Sequence, residues 1–467
     1  MAPPPSILQV LLLVLVTASL LALPTCSTSR LGHNNNVPEG IRVDLIHVDY
    51  GGNFTKLELL QRAIKRGKHR LERLKATAIL AADDAGEKVQ APTHAGNGEF
   101  LVNLAIGTPP VPFAAILDTG SDLIWTQCKP CTNCYQQPTP IFDPSDSSTY
   151  SKLPCSSPLC TALPTSMCSS GCEYLYAYGD YSTTQGVMAS ETFAFGSTKV
   201  PKIGFGCGDD NEGGGFSQGA GLVGLGRGPL SLISQLGSGK FSYCLTSIDD
   251  TKTSPLLFGS LANIDEKVKD QAGVTPLVQN PSQPSFYYLS LEDITVGGTL
   301  LGIPKSTFAL NEDGTGGLII DSGTTITYLE SAGYKLVKKA FASQTKLPVA
   351  DGSATGLDLC FSVPSGSSTV EVPKLTFHFK GADIDLPPDN YMIQDSSTGL
   401  LCLLIMESSG MSIFGNMQQQ NVQRPKIVSS VDFQATAANE KERKERLRIL
   451  VCTYLLQSKR LTIFSYL

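Results

Sequence analysis

Two stretches of the chain carry the same order of residue types. Asp118-Thr119-Gly120-Ser121 and Asp321-Ser322-Gly323-Thr324 each set a carboxyl at the end of an apolar run, followed by a hydroxyl, a glycine and a second hydroxyl. Apolar runs of this length form buried strands, and a carboxylate emerging from one is costly unless it is hydrogen-bonded or used. Taken singly, each stretch is also ordinary turn chemistry at a strand end. The repeat removes that ambiguity. Two apolar residues and a glycine follow each copy, Leu222-Val223-Gly224 ending 106 residues after Asp118 and Ile413-Phe414-Gly415 ending 94 residues after Asp321. Matched half-sites imply two related lobes, each supplying one carboxylate to a shared cleft.

Two carboxyls at hydrogen-bonding distance do not both ionise readily, so they share one proton over a wide pH range. The ionised member can take a proton from a bound water while the protonated member hydrogen-bonds a carbonyl. Thr119, Ser121, Ser322 and Thr324 can fix the carboxylate orientation, and Gly120 and Gly323 let the loops approach without a Cβ and expose amide donors. Water attacks directly, so the scheme needs neither metal nor cofactor. The histidines fit this. His33, His47, His69 and His94 lie ahead of the expected mature body, and only His378 remains, in an alternating run where it reads as structural. A Ser or Cys nucleophile needs a histidine base, and most catalytic zinc sites use two or three histidines.

The positioning elements read as mainly β. In 467 residues only 17% are charged, with 44 Gly and 29 Pro, which favours short strands and many turns, and the length suggests at least two globular units. Strand-like runs occur at 100–106, 114–125, 193–195, 200–205, 241–246, 286–296, 318–329 and 370–379; the clearest helix is 332–342. They divide into an N-terminal lobe, 93–270, and a C-terminal lobe, 271–423.

Residues 1–28 read as a secretory signal peptide, with an apolar run from Ile7 to Leu23 but no Lys or Arg before it. A signal anchor is the rival, although the run is short for a spanning helix. Residues 29–92 form a leader with a basic amphipathic helix at 56–75. Leu57, Leu60, Ile64, Leu71 and Leu74 make its apolar side, and Arg62, Lys65, Arg66, Lys68, Arg70, Arg73 and Lys75 its positive one. That face is either solvated or covers an acidic cleft. Residues 89–423 carry 16 basic and 30 acidic side chains, which suggests an electrostatic clamp that acid would loosen. The maturation cut is expected between residues 88 and 98. Asn53-Phe54-Thr55 is the glycosylation candidate. Thirteen cysteines in a secreted chain point to disulfides; C-x2-C-x2-C from Cys128 would suggest zinc only in a cytosolic protein.

These residues resemble those of the pepsin-like aspartic endopeptidases, and more closely the nepenthesin-type group from plants. The resemblance spans 41–423. It rests on the two Asp motifs, the two apolar-apolar-Gly elements, the Cys-rich insert 128–172, Tyr178-Gly179-Asp180 and the leader run Ile41-Arg42-Val43-Asp44-Leu45-Ile46-His47. It implies a bilobal β fold with a central cleft and a catalytic pair Asp118 and Asp321. It also implies a flap tyrosine, Tyr178, with the chain's only tryptophan, Trp125, as its hydrogen-bonding neighbour. It further implies disulfides Cys128–Cys131, Cys134–Cys207, Cys155–Cys172, Cys160–Cys168 and Cys360–Cys402. The expected product is a secreted monomer, in the apoplast or vacuole, made as a zymogen and cleaving protein or peptide substrates at acidic pH. Neither nucleic acid nor a membrane span after signal cleavage is expected.

Two departures stand out. Tyr181 replaces a flap glycine, where it would narrow a subsite or face solvent. From Arg424 the chain leaves the family pattern for a basic tail, 424–467, in which the expected final strands are not recognisable; an altered gene model or transcript end and a lineage-specific extension both fit. Only Cys452 then remains as a late partner for Cys244. The rival function is a non-catalytic secreted binding or inhibitor protein on the same fold, or an inactive truncated form. A nucleotide-binding enzyme would draw only on the glycine-rich run Gly221-Leu222-Val223-Gly224-Leu225-Gly226-Arg227-Gly228, which lacks the phosphate-binding lysine.

Overall fold

A twelve-stranded sheet carries the first half-site and an eight-stranded sheet the second, with two four-stranded sheets beside them. The structure is a computed structural model that describes residues 40–82, 100–178, 182–213, 216–237, 239–247, 253–263, 273–364, 370–420, 431–435 and 445–449. The signal segment, the maturation region and Tyr181 lie outside the described residues.

The expected strands form, but the runs that hold the two aspartates each break in two. Strand Val111–Asp118 ends on the carboxyl, and Ile124–Gln127 begins after the Thr-Gly-Ser turn. Strand Leu318–Ile320 and strand Thr327–Glu330 flank the second turn in the same way. The glycine-rich strand Gly221–Gly224 lies parallel to the first, with Gly224 opposite Asp118, and antiparallel to Ile124–Gln127. Ser412–Phe414 repeats the arrangement beside Leu318–Ile320. The apolar-apolar-Gly elements therefore lock each Asp-bearing turn against its own sheet.

The leader belongs to both sheets' cores. Its strand Gly40–His47 sits between Ser254–Gly259 and Phe100–Ile106, antiparallel to both, and buries Ile41, Val43 and Leu45 in the first lobe's core. Its helix runs Lys56–Ala82, seven residues past the expected end. Thr55 and Glu58 cap it reciprocally: the Glu58 amide donates to the Thr55 hydroxyl at 3.2 Å, and the Thr55 amide donates to the Glu58 carboxylate at 2.7 Å. Asn53 is exposed just before this cap. Leu60, Ile64, Leu71 and Leu74 pack with Phe286, Tyr288, Ile319 and Tyr328 of the second lobe.

The ten expected cysteines are bridged, but only Cys360–Cys402 pairs as anticipated. The others pair Cys128–Cys207, Cys131–Cys134, Cys155–Cys168 and Cys160–Cys172. Strand register decides the first of these. Thr126 faces Cys207 across parallel strands and the Cys128 amide donates to the Gly208 carbonyl, so Cys128 lies beside Cys207 and leaves Cys131 for Cys134. Burial decides the next: Cys160 and Cys172 are both buried, whereas Cys155 and Cys168 both reach solvent. Cys244 is also disulfide-bonded; Cys452 lies outside the described residues.

The basic tail is not without strands. Val431–Ala435 and Glu445–Ile449 pair with each other, and the second lies antiparallel to Gly273–Val278, extending the sheet of the second half-site. His378 bonds Thr295 and Asp383 at 2.7 and 2.8 Å, which accounts for it structurally.

Non-reducing peptide mapping is expected to recover Cys128–Cys207. That bridge spans 79 residues, so Cys128→Ser should cost about 2–5 kcal/mol in denaturant unfolding. Cys134→Ser, which opens a loop of three residues' separation, should cost less.

Candidate active site

Each aspartate is held by its own turn in the same way. Asp118 accepts from the Gly120 amide at 2.9 Å and the Ser121 hydroxyl at 2.6 Å. Asp321 accepts from the Gly323 amide at 3.3 Å and the Thr324 hydroxyl at 2.6 Å. Thr119 reaches across the boundary: its hydroxyl donates to Asp321 at 2.9 Å and accepts from the Ser322 amide at 3.2 Å, with the Ser322 hydroxyl 3.3 Å away. Gln419 supports the second turn from behind. Its side-chain amide donates to the carbonyls of Asp321 and Phe414, and its oxygen accepts from Tyr243 of the first lobe at 2.6 Å.

Both carboxylates meet one cation. Arg70 of the leader helix, fully buried, donates from Nε to Asp321 at 2.5 Å and from a single Nη2 to Asp118 and Asp321 at 2.5 and 2.6 Å. Arg73, one turn on, reaches Asp118 at 3.4 Å. The glycines of the two turns make this possible. A Cβ on Gly323 would lie 2.4 Å from the Arg70 guanidinium carbon, and one on Gly120 would lie 3.1 Å from Nη2. Gly67 has the same role on the helix, where a Cβ would crowd Thr325 at 3.2–3.5 Å.

The electrostatics follow. Burial pushes both carboxyls up, and the Arg70 charge overcomes it, so both are held below the usual carboxylate range. Burial would lower the guanidinium, but its two carboxylate partners hold it firmly charged. Together the three groups form an ionised, dry cluster.

Tyr178 lies just past strand Cys172–Ala177 and accepts a 2.7 Å hydrogen bond from the indole nitrogen of Trp125, itself fully buried in Ile124–Gln127. Phe216 packs edge-on against both rings, and the Arg73 guanidinium sits 5.6 Å from the Tyr178 ring centre. Burial drives the Tyr178 hydroxyl well above its ordinary range, so it stays a neutral donor. Gly179 and Asp180 lie outside the described residues.

The two turns thus meet at one point, Tyr178 reaches it through Arg73, and Trp125 stands behind Tyr178. In the sequence Arg70 is one of seven cations on the helix's positive face, with nothing at its own position to single it out. The signal was available in Gly67: a glycine inside a helix is unfavourable by about 1 kcal/mol, and it marks the close-contact face that also bears Arg70, Leu71 and Leu74. Gln419 and Tyr243 had no local signal, because they meet each other across the lobe boundary.

Arg70→Gln leaves the buried Asp321 without its cation and Asp118 with only the longer contact to Arg73. Loss of about 3–5 kcal/mol is expected in urea unfolding at neutral pH. Because the pair's carboxyls are depressed when bound to Arg70, the stabilisation is present at neutral pH and fades as pH falls, so the difference should shrink near pH 4.

The chain has similarities to family models, to curated proteins and to solved structures. Models described as "Xylanase inhibitor N-terminal" and "Xylanase inhibitor C-terminal" match residues 100–260 and 286–424. The chain is 51% identical over 416 residues to aspartic proteinase nepenthesin-2 of Nepenthes gracilis, covering 88% of this chain and 93% of that protein. It is 36% identical over 423 residues to aspartyl protease 37 of Oryza sativa subsp. japonica, covering 83% and 91%. Among solved structures, edgp matches with a TM-score of 0.61 at 19% identity, over 89% of this chain and 95% of that one. Basic 7S globulin from soybean matches at 0.55 and 20%, over 76% and 93%. At those identities the two structures speak for the fold.

Proposed function

The chain belongs to the nepenthesin-type group of pepsin-like aspartic proteinases, and from that premise we propose that it is a secreted endopeptidase, made as a zymogen, that hydrolyses peptide bonds at acidic pH. The observation that carries this reading is the pairing of Asp118 and Asp321. Their turns grip them in matched fashion and bring them close enough to share one guanidinium nitrogen.

Remove Arg70 and the two carboxyls face each other without a cation. Such a pair keeps one proton below about pH 5, as coupled carboxyl dyads do. A water between them loses a proton to the ionised member as its oxygen attacks the substrate carbonyl carbon. The protonated member hydrogen-bonds the carbonyl oxygen and stabilises the charge developing there. Proton transfer to the leaving nitrogen then breaks the C–N bond. Tyr178, neutral and tethered to Trp125, closes the site from the flap and excludes water.

The same geometry supports a zymogen. Arg70 occupies the space above Gly120 and Gly323 where substrate and water would lie. The covered pair holds no proton and the uncovered pair holds one, so docking of the leader releases a proton. Its hold is therefore complete above the uncovered pair's pKa and weakens about tenfold per pH unit below it, until the covered, depressed carboxyls titrate in turn. Acid is both the trigger and the working condition. The apolar N-terminal run and the five described bridges support export, with the apoplast or vacuole as destinations.

A binding protein on the same fold is the reading that the descriptions of the two family models favour; the intact pair and flap tyrosine favour the enzyme. Acid-treated protein assayed on peptides at about pH 3–5 decides between them. Cleavage is expected, with Asp118→Asn and Asp321→Asn each lowering kcat by about a hundredfold to ten-thousandfold. Activity that survives either substitution would remove the pair from the mechanism. A folded, uncovered wild-type protein that cleaves nothing is the binding protein.

A further inference from the structure

The carboxyl of Asp122, four residues after Asp118, is buried in the protein and belongs to neither the proton chemistry nor the leader clamp. It accepts from the Gly228 amide at 2.9 Å and from the Ser285 hydroxyl. The glycine-rich run is shaped around it. Hypothetical Cβ atoms on Gly226 and Gly228 would fall 2.2 Å from its two carboxylate oxygens, and one on Gly224 would fall 2.3 Å from its backbone carbonyl. Strand Gly221–Gly224 ends at the first of these glycines, and all three stand where a side chain would collide with Asp122, Gly224 with its backbone and Gly226 and Gly228 with its carboxylate. Leu225, between the first two, is buried in the main apolar core.

Ser285 belongs to the second lobe's approach to its catalytic strand. Its carbonyl accepts from the Arg227 amide at 3.2 Å, and Tyr287, two residues on, donates its hydroxyl to Leu225 at 2.6 Å. The Tyr287 carbonyl accepts from the amide of Ile320, the residue before Asp321, at 3.0 Å. A short path thus runs from Asp118 through Asp122, Ser285 and Tyr287 to Asp321. The second half-site has no counterpart: Thr325 stands where Asp122 would, and Met417 stands two residues after Gly415, where Gly226 follows Gly224.

We propose that Asp122 is a positioning residue for peptide hydrolysis, fixing the separation of Asp118 and Asp321 across the lobe boundary through its grip on Ser285. This rests on the reading of those two aspartates as the catalytic pair. The titratable groups facing Asp122 are Asp118 in its own loop, Tyr176 of the flap and Tyr287 of the second lobe. The Arg227 guanidinium is directed at the carbonyls of Val278 and Phe286. Burial, with the Asp118 charge adding to it, raises the Asp122 carboxyl above its usual range. When ionised, Asp122 in turn makes the pair's shared proton harder to lose.

The test is steady-state cleavage by the acid-processed full chain carrying Asp122→Asn, Ser285→Ala or Ser285→Thr. A misplacement of about 1 Å can cost on the order of a hundredfold, so Asp122→Asn and Ser285→Ala should lower kcat about tenfold to a hundredfold with KM within about twofold. Ser285→Thr, which keeps the hydroxyl, should restore most of the rate. Asp122→Asn should also move the alkaline limb of the pH profile to lower pH, since a neighbouring negative charge is gone; Ser285→Ala should not. Wild-type kcat and an unmoved limb in Asp122→Asn, or a loss confined to KM, overturn the proposal. If Asp122→Asn does not fold, Ser285→Ala and its rescue by Ser285→Thr decide. A cleaving wild type with unaffected variants overturns only the role of Asp122, whereas a wild type that does not cleave overturns the catalytic pair and this role together.

Discussion

Two buried carboxylates side by side repel each other, and most of the leader is explained by the single cation that resolves this. Arg70 must arrive dry, charged and correctly turned, which requires an anchored helix. The Thr55–Glu58 cap fixes where the helix starts, and Asp49 ties it through Arg62 and Arg66 at 2.8 and 2.7 Å. Gly67 lets the helix settle against Thr325, and four buried aliphatic side chains hold it down. An ion cluster of this kind contributes little net stability in itself, because desolvation offsets attraction, but losing one member is severe. It acts as a device for specifying one docked arrangement.

The pseudo-twofold relation between the lobes holds where the chemistry is shared and breaks where a task is not. Gly120 with Ser121 and Gly323 with Thr324 repeat the carboxylate grip atom for atom. Thr119 crosses to the opposite turn, Gln419 takes its support from Tyr243 of the first lobe, and Asp122 has no equivalent. Each exception is a contact across the boundary. A symmetric pair of turns would orient two carboxyls well but leave their spacing free; the asymmetric contacts fix that spacing.

What was legible in the sequence was local or repeated. The Asp motifs, the apolar strands before them and the start of the amphipathic leader helix all follow from periodicity and spacing, although the helix runs on to Ala82. The run 114–125 and the run 318–329 looked continuous because apolar residues lie on both sides of each turn. Register was not legible: Cys128 meets Cys207 only because Ile124–Gln127 runs parallel to Thr198–Glu212, a pairing made over some eighty residues. The tail strands were missed for a related reason. Val431–Ala435 and Glu445–Ile449 mix charged and apolar residues, and their partner strand is far away in sequence.

The leader is held at two points with different sensitivities to acid. The helix meets the site through charges, whereas the strand Gly40–His47 is laced into the first lobe's sheet by backbone hydrogen bonds that no carboxyl controls. Lifting the helix therefore does not free the leader; the strand keeps Arg70 at a high effective concentration beside the cleft. Under the acid release proposed above, a brief acid excursion would open the protein and neutral pH would close it again. On that proposal only a cut in the chain between helix and body, followed by loss of the strand, would make the change permanent, so the same forty-odd residues would supply both a reversible state and a one-way step.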